Sequence, residues 1–201
     1  MHAGVIIAGG RSTRFGDADK AVADLGGVPM IRRVADRIDG VVDDLVVNCR
    51  DDQVDAISRA LGDARRDPTF AVDEEPDLGP MAGIATGLRA TDADYGLVVA
   101  CDMPFVDPDF ATYLFERATG HDAAVPRPDE WFQTTQAVYR CEPMVAACED
   151  ALARDEHKIT AALFDLEYVV LDREEIEAHT SLQTFENLNT YEEFEAAAAE
   201  F

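Results

Sequence analysis

Near the start of the chain an apolar run, Gly4-Val5-Ile6-Ile7-Ala8, breaks at Gly9-Gly10 and passes through Arg11-Ser12-Thr13-Arg14-Phe15-Gly16 to Asp19-Lys20. Glycines let backbone N–H groups approach a ligand closely, and successive N–H groups can form a nest for an anion. Arg11, Arg14 and Lys20 add three cationic side chains to the same stretch. That combination suits phosphate groups. Its spacing is neither that of the P-loop, Gly-x-x-x-x-Gly-Lys-Ser/Thr, nor that of the dinucleotide fingerprint, Gly-x-Gly-x-x-Gly. A Gly-rich turn after an edge strand is the plain structural alternative.

Asp102 is the second chemical feature. It follows the apolar run Leu97-Val98-Val99-Ala100-Cys101 and precedes Met103-Pro104. A carboxylate at the tip of a buried strand is held rigidly and faces the ligand crevice. Mg²⁺ is commonly bound through one or two carboxylates plus substrate phosphates. Asp102 and the phosphate-binding stretch therefore support one another. The alternative is an aspartate capping the next turn, helped by Pro104.

The elements that must position these residues alternate strand with helix. Strands are expected at 3–8, 21–25, 44–48, 69–72, 95–101, 123–126, 133–139 and 168–171. Helices are expected at 29–38, 51–61, 79–90, 108–119, 142–154, 158–164 and from 191 to the end. The helix beginning at Pro29 sets Met30, Ile31, Val34, Ala35 and Ile38 on one face. Repeated βαβ units with near-continuous apolar strands imply a mostly parallel sheet with helices on both faces. In such sheets ligands bind at the carboxyl ends of the strands, at a topological switch point. The Gly9-Gly10 stretch, Asn48, Asp73 and Asp102 all fall there.

Taken together, Ala8-Gly9-Gly10-x-Ser12-x-Arg14-Phe15-Gly16-x-x-Asp19-Lys20 resembles the signature loop of the molybdenum cofactor guanylyltransferases. Further matches follow in order: Val47-Asn48, Asp73 with Leu78-Gly79-Pro80-Met81-Ala82-Gly83-Ile84, Asp102-Met103-Pro104-Phe105, and Asn187-Leu188-Asn189-Thr190. The resemblance spans nearly the whole chain. It implies a single nucleotidyltransferase domain over 1–201, with a three-layer α/β/α Rossmann-like fold and a mostly parallel sheet. It also implies transfer of GMP from GTP to the terminal phosphate of molybdenum-molybdopterin, with release of pyrophosphate and with Mg²⁺ as cofactor.

By the same resemblance, Ile7, Ala8, Gly9 and Gly10 line the guanine through main-chain contacts, and Asn48 and Asp73 select and hold the nucleoside. Lys20 and Arg14 bind phosphates, and Asp102 binds Mg²⁺ beside the GTP. Gly79, Pro80 and Gly83 shape the site, and Asn187 or Asn189 serves the metal or the acceptor. The chemistry agrees at Asp73: guanine presents an N1–H and an exocyclic NH₂, and a carboxylate accepts from both. A solvated loop charge is the alternative there. The stretch Pro126 to Gln136, with Arg127, Trp131 and Gln136, is expected across from the nucleotide, Trp131 packing either on a flat pterin or over the core. Three departures from the family pattern stand out: Phe15 replaces a methionine, Ala21-Val22 replace larger aliphatics, and Tyr191 replaces a proline at the last helix start.

The bulk composition narrows the partners. The chain has 201 residues, 47% hydrophobic, with a formal net charge of −24, which indicates a globular protein and argues against nucleic acid or an anionic membrane. Lys20 and Lys158 are the only lysines among 17 basic residues. Acidic residues are spread along the chain, as in proteins adapted to a high-salt cytoplasm, where screening weakens self-repulsion. A basic partner protein is the other reading of that charge. Cys49, Cys101, Cys141 and Cys148 lack metal or redox spacing and read as buried reduced thiols. The four histidines, His2, His121, His157 and His179, lack partners at catalytic spacing. With no signal-like or membrane-length apolar segment, a cytoplasmic location is expected. Later partners in such a pathway are molybdenum insertion proteins and recipient molybdoenzymes.

Two other functions compete. One is a guanylyl- or cytidylyltransferase acting on another phosphorylated acceptor, such as a corrinoid precursor, a phospholactate, or molybdopterin with CTP. The Asp19-Lys20 pair and the Gly79-Pro80-Met81-Ala82-Gly83 helix start favour the molybdenum reading. The other is a non-catalytic GTP-binding protein on the same fold.

Overall fold

The computed structural model describes residues 1–10, 19–62, 64–73 and 78–201. Its main sheet has seven strands in the order β5-β4-β1-β6-β8-β7-β9. These are β1 (His2–Ile7), β4 (Asp44–Cys49), β5 (Thr69–Val72), β6 (Tyr95–Ala100), β7 (Ala123–Arg127), β8 (Gln136–Arg140) and β9 (Tyr168–Asp172). Within this sheet β8 runs antiparallel to its neighbours β6 and β7, and the other pairings are parallel. Two short strands, β2 (Asp24–Leu25) and β3 (Val28–Pro29), form a separate hairpin. The observed sheet is mostly parallel with helices on both faces, as the apolar runs imply.

Period-two alternation explains why both faces are covered. Ile6, Leu45, Val47, Leu97 and Val99 point to a core shared with α1 (Met30–Ile38) and α4 (Pro108–Ala118). Val5, Val46 and Val98 point the other way, to a core shared with α3 (Pro80–Arg89), α5 (Cys141–Ala153) and α6 (Ile159–Leu163). A strand apolar on both faces must be sandwiched, because leaving either face in water forfeits burial worth about 25 cal/mol per Å². The remaining helices are α2 (Val54–Leu61), α7 (Arg173–His179) and α8 (Tyr191–Ala198).

Register brings the ligand edge together. Ile7 stands opposite both Asn48 and Ala100, and Asn48 stands opposite Ala71. The residues just beyond that row, Ala8-Gly9, Cys49-Arg50, Val72-Asp73 and Cys101-Asp102, therefore leave the sheet side by side. Helix α3 lies close against this end because its inner face carries glycines. A Cβ at Gly87 would overlap the Val5 side chain, and one at Gly83 would overlap the Asn48 side-chain oxygen.

Several boundaries differ from expectation for local reasons. Residues 21–25 do not form one strand. The Asp19 side chain accepts the Ala21 N–H, closing a 3₁₀ turn over Lys20–Val22 before β2 begins. The helix expected over 51–61 is a 3₁₀ turn, Asp51–Gln53, leading into α2. The strand expected from Gln133 starts at Gln136, because Gln133 donates its N–H to Pro126 and then accepts the Gln136 N–H in a tight turn. Helix α7 and a 3₁₀ turn at Leu182–Phe185 were not anticipated. The proline missing at position 191 is made good by a capping box: Thr190 accepts the Glu193 N–H while the Glu193 carboxylate accepts the Thr190 N–H.

All four cysteines are free thiols, and Cys49, Cys141 and Cys148 are buried. Burial pushes these three up to about 12, so they stay protonated. His2 stacks on Phe115 and His179 on Tyr113. Trp131 is 70% exposed, so it does not cover the core.

The α3–β1 approach gives a direct test. Gly87→Ala should cost about 1–3 kcal/mol by overpacking against Val5, read as a lower urea midpoint with an unchanged slope. An unchanged midpoint would mean that α3 can back off the sheet without penalty.

Candidate active site

Lys20 is the first residue of the 3₁₀ turn whose preceding residue, Asp19, supplies the cap. Its side chain is nearly buried, and Nζ donates to Asp102 Oδ2 at 2.7 Å and to Asn189 Oδ1 at 3.1 Å. Asp102 sits just beyond β6, where Leu188 donates its backbone N–H to the Asp102 carbonyl at 3.0 Å. Leu188 is in turn buried with Leu25, Met30, Phe105 and Phe194. That apolar anchor brings the C-terminal segment, and Asn189 with it, onto the Lys20–Asp102 pair. Asp102 Oδ1 is buried and has no hydrogen-bond partner among the described residues.

A second polar group lies where β4 and β5 end. Asn48 is buried, and its Nδ2 donates to the Ala71 carbonyl at 3.1 Å and to Asp73 Oδ1 at 2.6 Å. Asn48 Oδ1 is buried without a partner among the described residues. Burial raises the Asp73 carboxyl above its ordinary value, and the Asn48 hydrogen bond and the nearby Arg50 oppose that rise. The neighbouring glycines leave room for both side chains. A Cβ at Gly9 would stand 2.7 Å from Asp73 Oδ2, and one at Gly83 would meet Asn48 Oδ1. Gly79 has φ +87°, in the left-handed region, and Pro80 follows at the start of α3. Such a backbone favours glycine.

Ile7, Ala8, Gly9 and Gly10 thread between the two groups. Ala8 donates its N–H to the Asn48 carbonyl at 2.8 Å, and Ile7 accepts the Cys101 N–H at 3.0 Å. Most of the residues singled out from sequence are thus gathered at one edge. Asn187 is not drawn in: its Nδ2 turns back to the Phe185 carbonyl at 3.1 Å, so of the two asparagines it is Asn189 that reaches the pair. Arg14, with Arg11 and Ser12 to Gly16, lies outside the described residues. Gln136 is fully buried and donates through Nε2 to Thr184 Oγ1 at 2.7 Å.

Two residues at this edge were missed in the sequence. Arg50 Nη1 donates to the carbonyls of Gly9 at 2.8 Å and Gly10 at 3.2 Å. Gln53 Nε2 donates to the Ala8 carbonyl at 3.0 Å and to Asp19 Oδ2 at 2.7 Å. Their one sequence signal was position, two and five residues after Asn48 on the carboxyl side of a core strand.

A lysine paired with a carboxylate that keeps one oxygen open suits a phosphorylated ligand and its counter-cation. An amide–carboxylate pair with acceptor capacity to spare suits a group carrying several N–H donors.

The profile of the MobA-like NTP transferase domain matches residues 4–173. A relative from Natronomonas pharaonis named probable molybdenum cofactor guanylyltransferase is 54% identical over 194 residues, covering 96% of this chain and 95% of its own. One of the same name from Haloferax mediterranei is 40% identical, covering 98% and 93%. The crystal structure of molybdopterin-guanine dinucleotide biosynthesis protein A from Archaeoglobus fulgidus superposes with a TM-score of 0.80 at 25% identity, covering 98% of this chain and 97% of that one.

The raised Asp73 carboxyl fixes the sign of a pH effect. A carboxyl held higher in the folded than in the unfolded chain lowers stability as pH climbs from the ordinary 3.8 through its folded value. Asp73→Asn keeps an acceptor for Asn48 and removes the buried charge. At pH 7 this variant should melt above the wild type, and the gap should close below pH 3.8. Thermal melts across pH check this. A gap that ignores pH would rule out burial of the charge as its cause.

Proposed function

The chain belongs to the MobA-like NTP transferase family, and from its site we propose that it transfers GMP from GTP to the terminal phosphate of molybdenum-molybdopterin, giving the guanine dinucleotide cofactor and pyrophosphate. The observation that carries this reading is the Lys20–Asp102 pair, with one open Asp102 oxygen, beside the Asn48–Asp73 pair at a single sheet edge.

Asp73 would accept from the guanine N1–H and NH₂. A carboxylate has about four lone-pair positions, so the bond from Asn48 leaves capacity for both. Asn48 Oδ1 adds a further buried acceptor. Adenine, uracil and cytosine do not offer that pair of adjacent donors. Ile7, Ala8, Gly9 and Gly10 would line the base and Lys20 would bind the phosphates, with Arg14 as a further phosphate contact.

The family implies a divalent cation, which we take to be Mg²⁺. The residues present fit it. Asp102 Oδ1 is a buried oxygen lacking a partner, and no group of three or more His, Cys, Asp or Glu stands ready for a metal among the described residues. One carboxylate with phosphate oxygens and waters is the usual Mg²⁺ environment. Bound there, Mg²⁺ would offset charge on the phosphates and on the departing pyrophosphate.

In the transfer an oxygen of the acceptor phosphate attacks the α-phosphorus of GTP in line. The new P–O bond forms as the bond to the β-phosphate bridging oxygen breaks, and pyrophosphate leaves with that electron pair. The acceptor is an anion at neutral pH, so no general base is needed. Lys20, held in place by Asp102 and Asn189, would donate to a phosphate oxygen whose charge grows as the bond breaks. A cytoplasmic site of action belongs to the same reading; no helix among the described residues is long and apolar enough to cross a membrane. Molybdenum insertion proteins and molybdoenzymes would then be the recipients of the product.

The test is pyrophosphate release in high-salt buffer with Mg²⁺, from GTP, CTP, ATP and UTP in parallel, each with and without molybdenum cofactor. Release is expected with GTP and cofactor together. Lys20→Ala and Asp102→Ala should each lower it by about 100-fold or more, the scale seen when a preorganised charge contact is lost. Release with CTP instead would keep the mechanism and overturn the choice of base. Binding of GTP with no release from any nucleotide would point to a different acceptor or to a non-catalytic role.

A further inference from the structure

We propose that Gln53 and Arg50 are positioning residues for nucleotide binding: from the turn after β4 they hold Ala8 to Gly10 on one side of the signature stretch, and Asp19-Lys20 on the other, in a fixed relation. The proposal rests on the reading of Lys20 as a phosphate ligand given above.

Gln53 is 2% exposed, yet every polar atom of its amide is used. The two N–H groups of Nε2 go to the Ala8 carbonyl and to Asp19 Oδ2, and Oε1 accepts the Arg50 N–H at 3.0 Å. One buried side chain thus joins a residue before the signature stretch to a residue after it. The other Asp19 oxygen accepts the Ala21 N–H at 3.1 Å and so caps the turn that begins with Lys20. The direction in which Asp19 faces therefore sets how Lys20 leaves the backbone, and Gln53 sets the direction of Asp19. From Lys20 the linkage continues to Asp102.

Arg50 acts on the other side. Its Nη1 bridges the carbonyls of Gly9 and Gly10, while Nε is held by Asp52 at 3.0 Å. In a trans peptide the N–H points opposite to the preceding C=O. Drawing the Gly9 carbonyl to the guanidinium thus turns the Gly10 N–H away from it. Glycine pairs have little conformational preference of their own, so an external grip of this kind is what gives Gly9-Gly10 one orientation. Neither residue need touch the nucleotide.

A swap of donor and acceptor separates positioning from simple packing. Gln53→Glu sets a carboxylate against the Asp19 carboxylate and the Ala8 carbonyl. Asp19→Asn keeps an oxygen for Ala21 and turns an NH₂ toward the Gln53 NH₂. In the double variant the Asn NH₂ faces the Glu carboxylate and the bond is restored in reverse, with only the Ala8 carbonyl left wanting. The readout is the Kd for GTP with Mg²⁺ by titration calorimetry, with a thermal midpoint taken for each variant.

Each single change should weaken GTP about tenfold, the worth of one hydrogen bond to a charged group. The double variant should bind at least about fivefold tighter than Gln53→Glu alone, as coupled neighbours do. Losses that simply add, or an unchanged Kd in folded single variants, would overturn the proposal. Should Gln53→Glu fail to fold, Arg50→Met serves: it should weaken GTP by a similar factor with Arg50→Lys recovering part of the loss, and an unchanged Kd would again overturn it. An unchanged Kd in Lys20→Ala would instead overturn the reading of the site on which the proposal rests.

Discussion

The nearly buried ion pair between Lys20 and Asp102, with Asn189 on the same ammonium, ties together three parts of the chain that lie far apart in sequence. Lys20 comes from the turn after the signature stretch, Asp102 from the tip of β6, and Asn189 from the segment before α8. Taking two charges out of water is unfavourable unless each is well paired, and removing one partner of such a pair commonly costs about 3–5 kcal/mol. The chain meets this requirement with an apolar anchor. Leu188 buries itself beside Phe105 and Phe194, and its N–H fastens to the Asp102 carbonyl. A lysine is a notable choice in a chain that uses arginine for fifteen of its 17 basic residues. A compact ammonium with three donors can bond Asp102 and Asn189 and keep one N–H for a ligand, which a planar guanidinium in the same narrow space would do less well.

A packing constraint runs from the core into the same edge. Gly83 and Gly87 lie four apart on α3 and so share one face. Gly87 lets the helix close on Val5 of β1, and Gly83 leaves space for Asn48 Oδ1. The residues that bring α3 against the sheet and the residue that shapes the polar pocket are therefore one stripe. Substitution in that stripe alters stability and site geometry together. The left-handed backbone at Gly79 completes the arrangement by turning the chain into α3.

The legible parts of the sequence were those in which local pattern and tertiary role coincide. Strands β1, β4 and β6 were readable because their residues are apolar on both faces, and Asn48, Asp73 and Asp102 because each ends or follows such a strand. Helix α7 was not readable: Ile176 is its one buried residue, so no apolar stripe marks it. Its polar cap was present, with the Asp172 side chain accepting the Glu175 N–H. Arg50 read as an ordinary loop residue and Gln53 as one more position of the helix expected over 51–61, since their partners lie 40 or so positions away for Arg50 and at both ends of the signature stretch for Gln53. The choice between Asn187 and Asn189 was undecidable from spacing. It depends on which one faces a lysine 169 positions earlier.

Buried polar atoms without partners are where a fold departs from its own rules, and their placement here is uneven. Among the described residues these are Asn48 Oδ1, Asp102 Oδ1 and Gln136 Oε1. Asn48 stands opposite Ile7 at the end of β4, Asp102 lies just beyond β6, and Gln136 opens β8 opposite Val99 near the end of β6. All three therefore sit at the end of the sheet where β1, β4 and β6 finish, and among the described residues no other buried side-chain nitrogen or oxygen lacks a partner. A buried acceptor left without a donor costs about 1–3 kcal/mol, which makes these three atoms the places where a ligand's donors and cations count most. The apolar core on each side of the sheet is one continuous cluster of buried side chains, and the two together fix the strands that carry these atoms. A ligand that brings N–H donors to Asn48 and positive charge to Asp102 would give two of the three their partners at once. Part of its recognition would then come from polar groups that the sheet already holds in place.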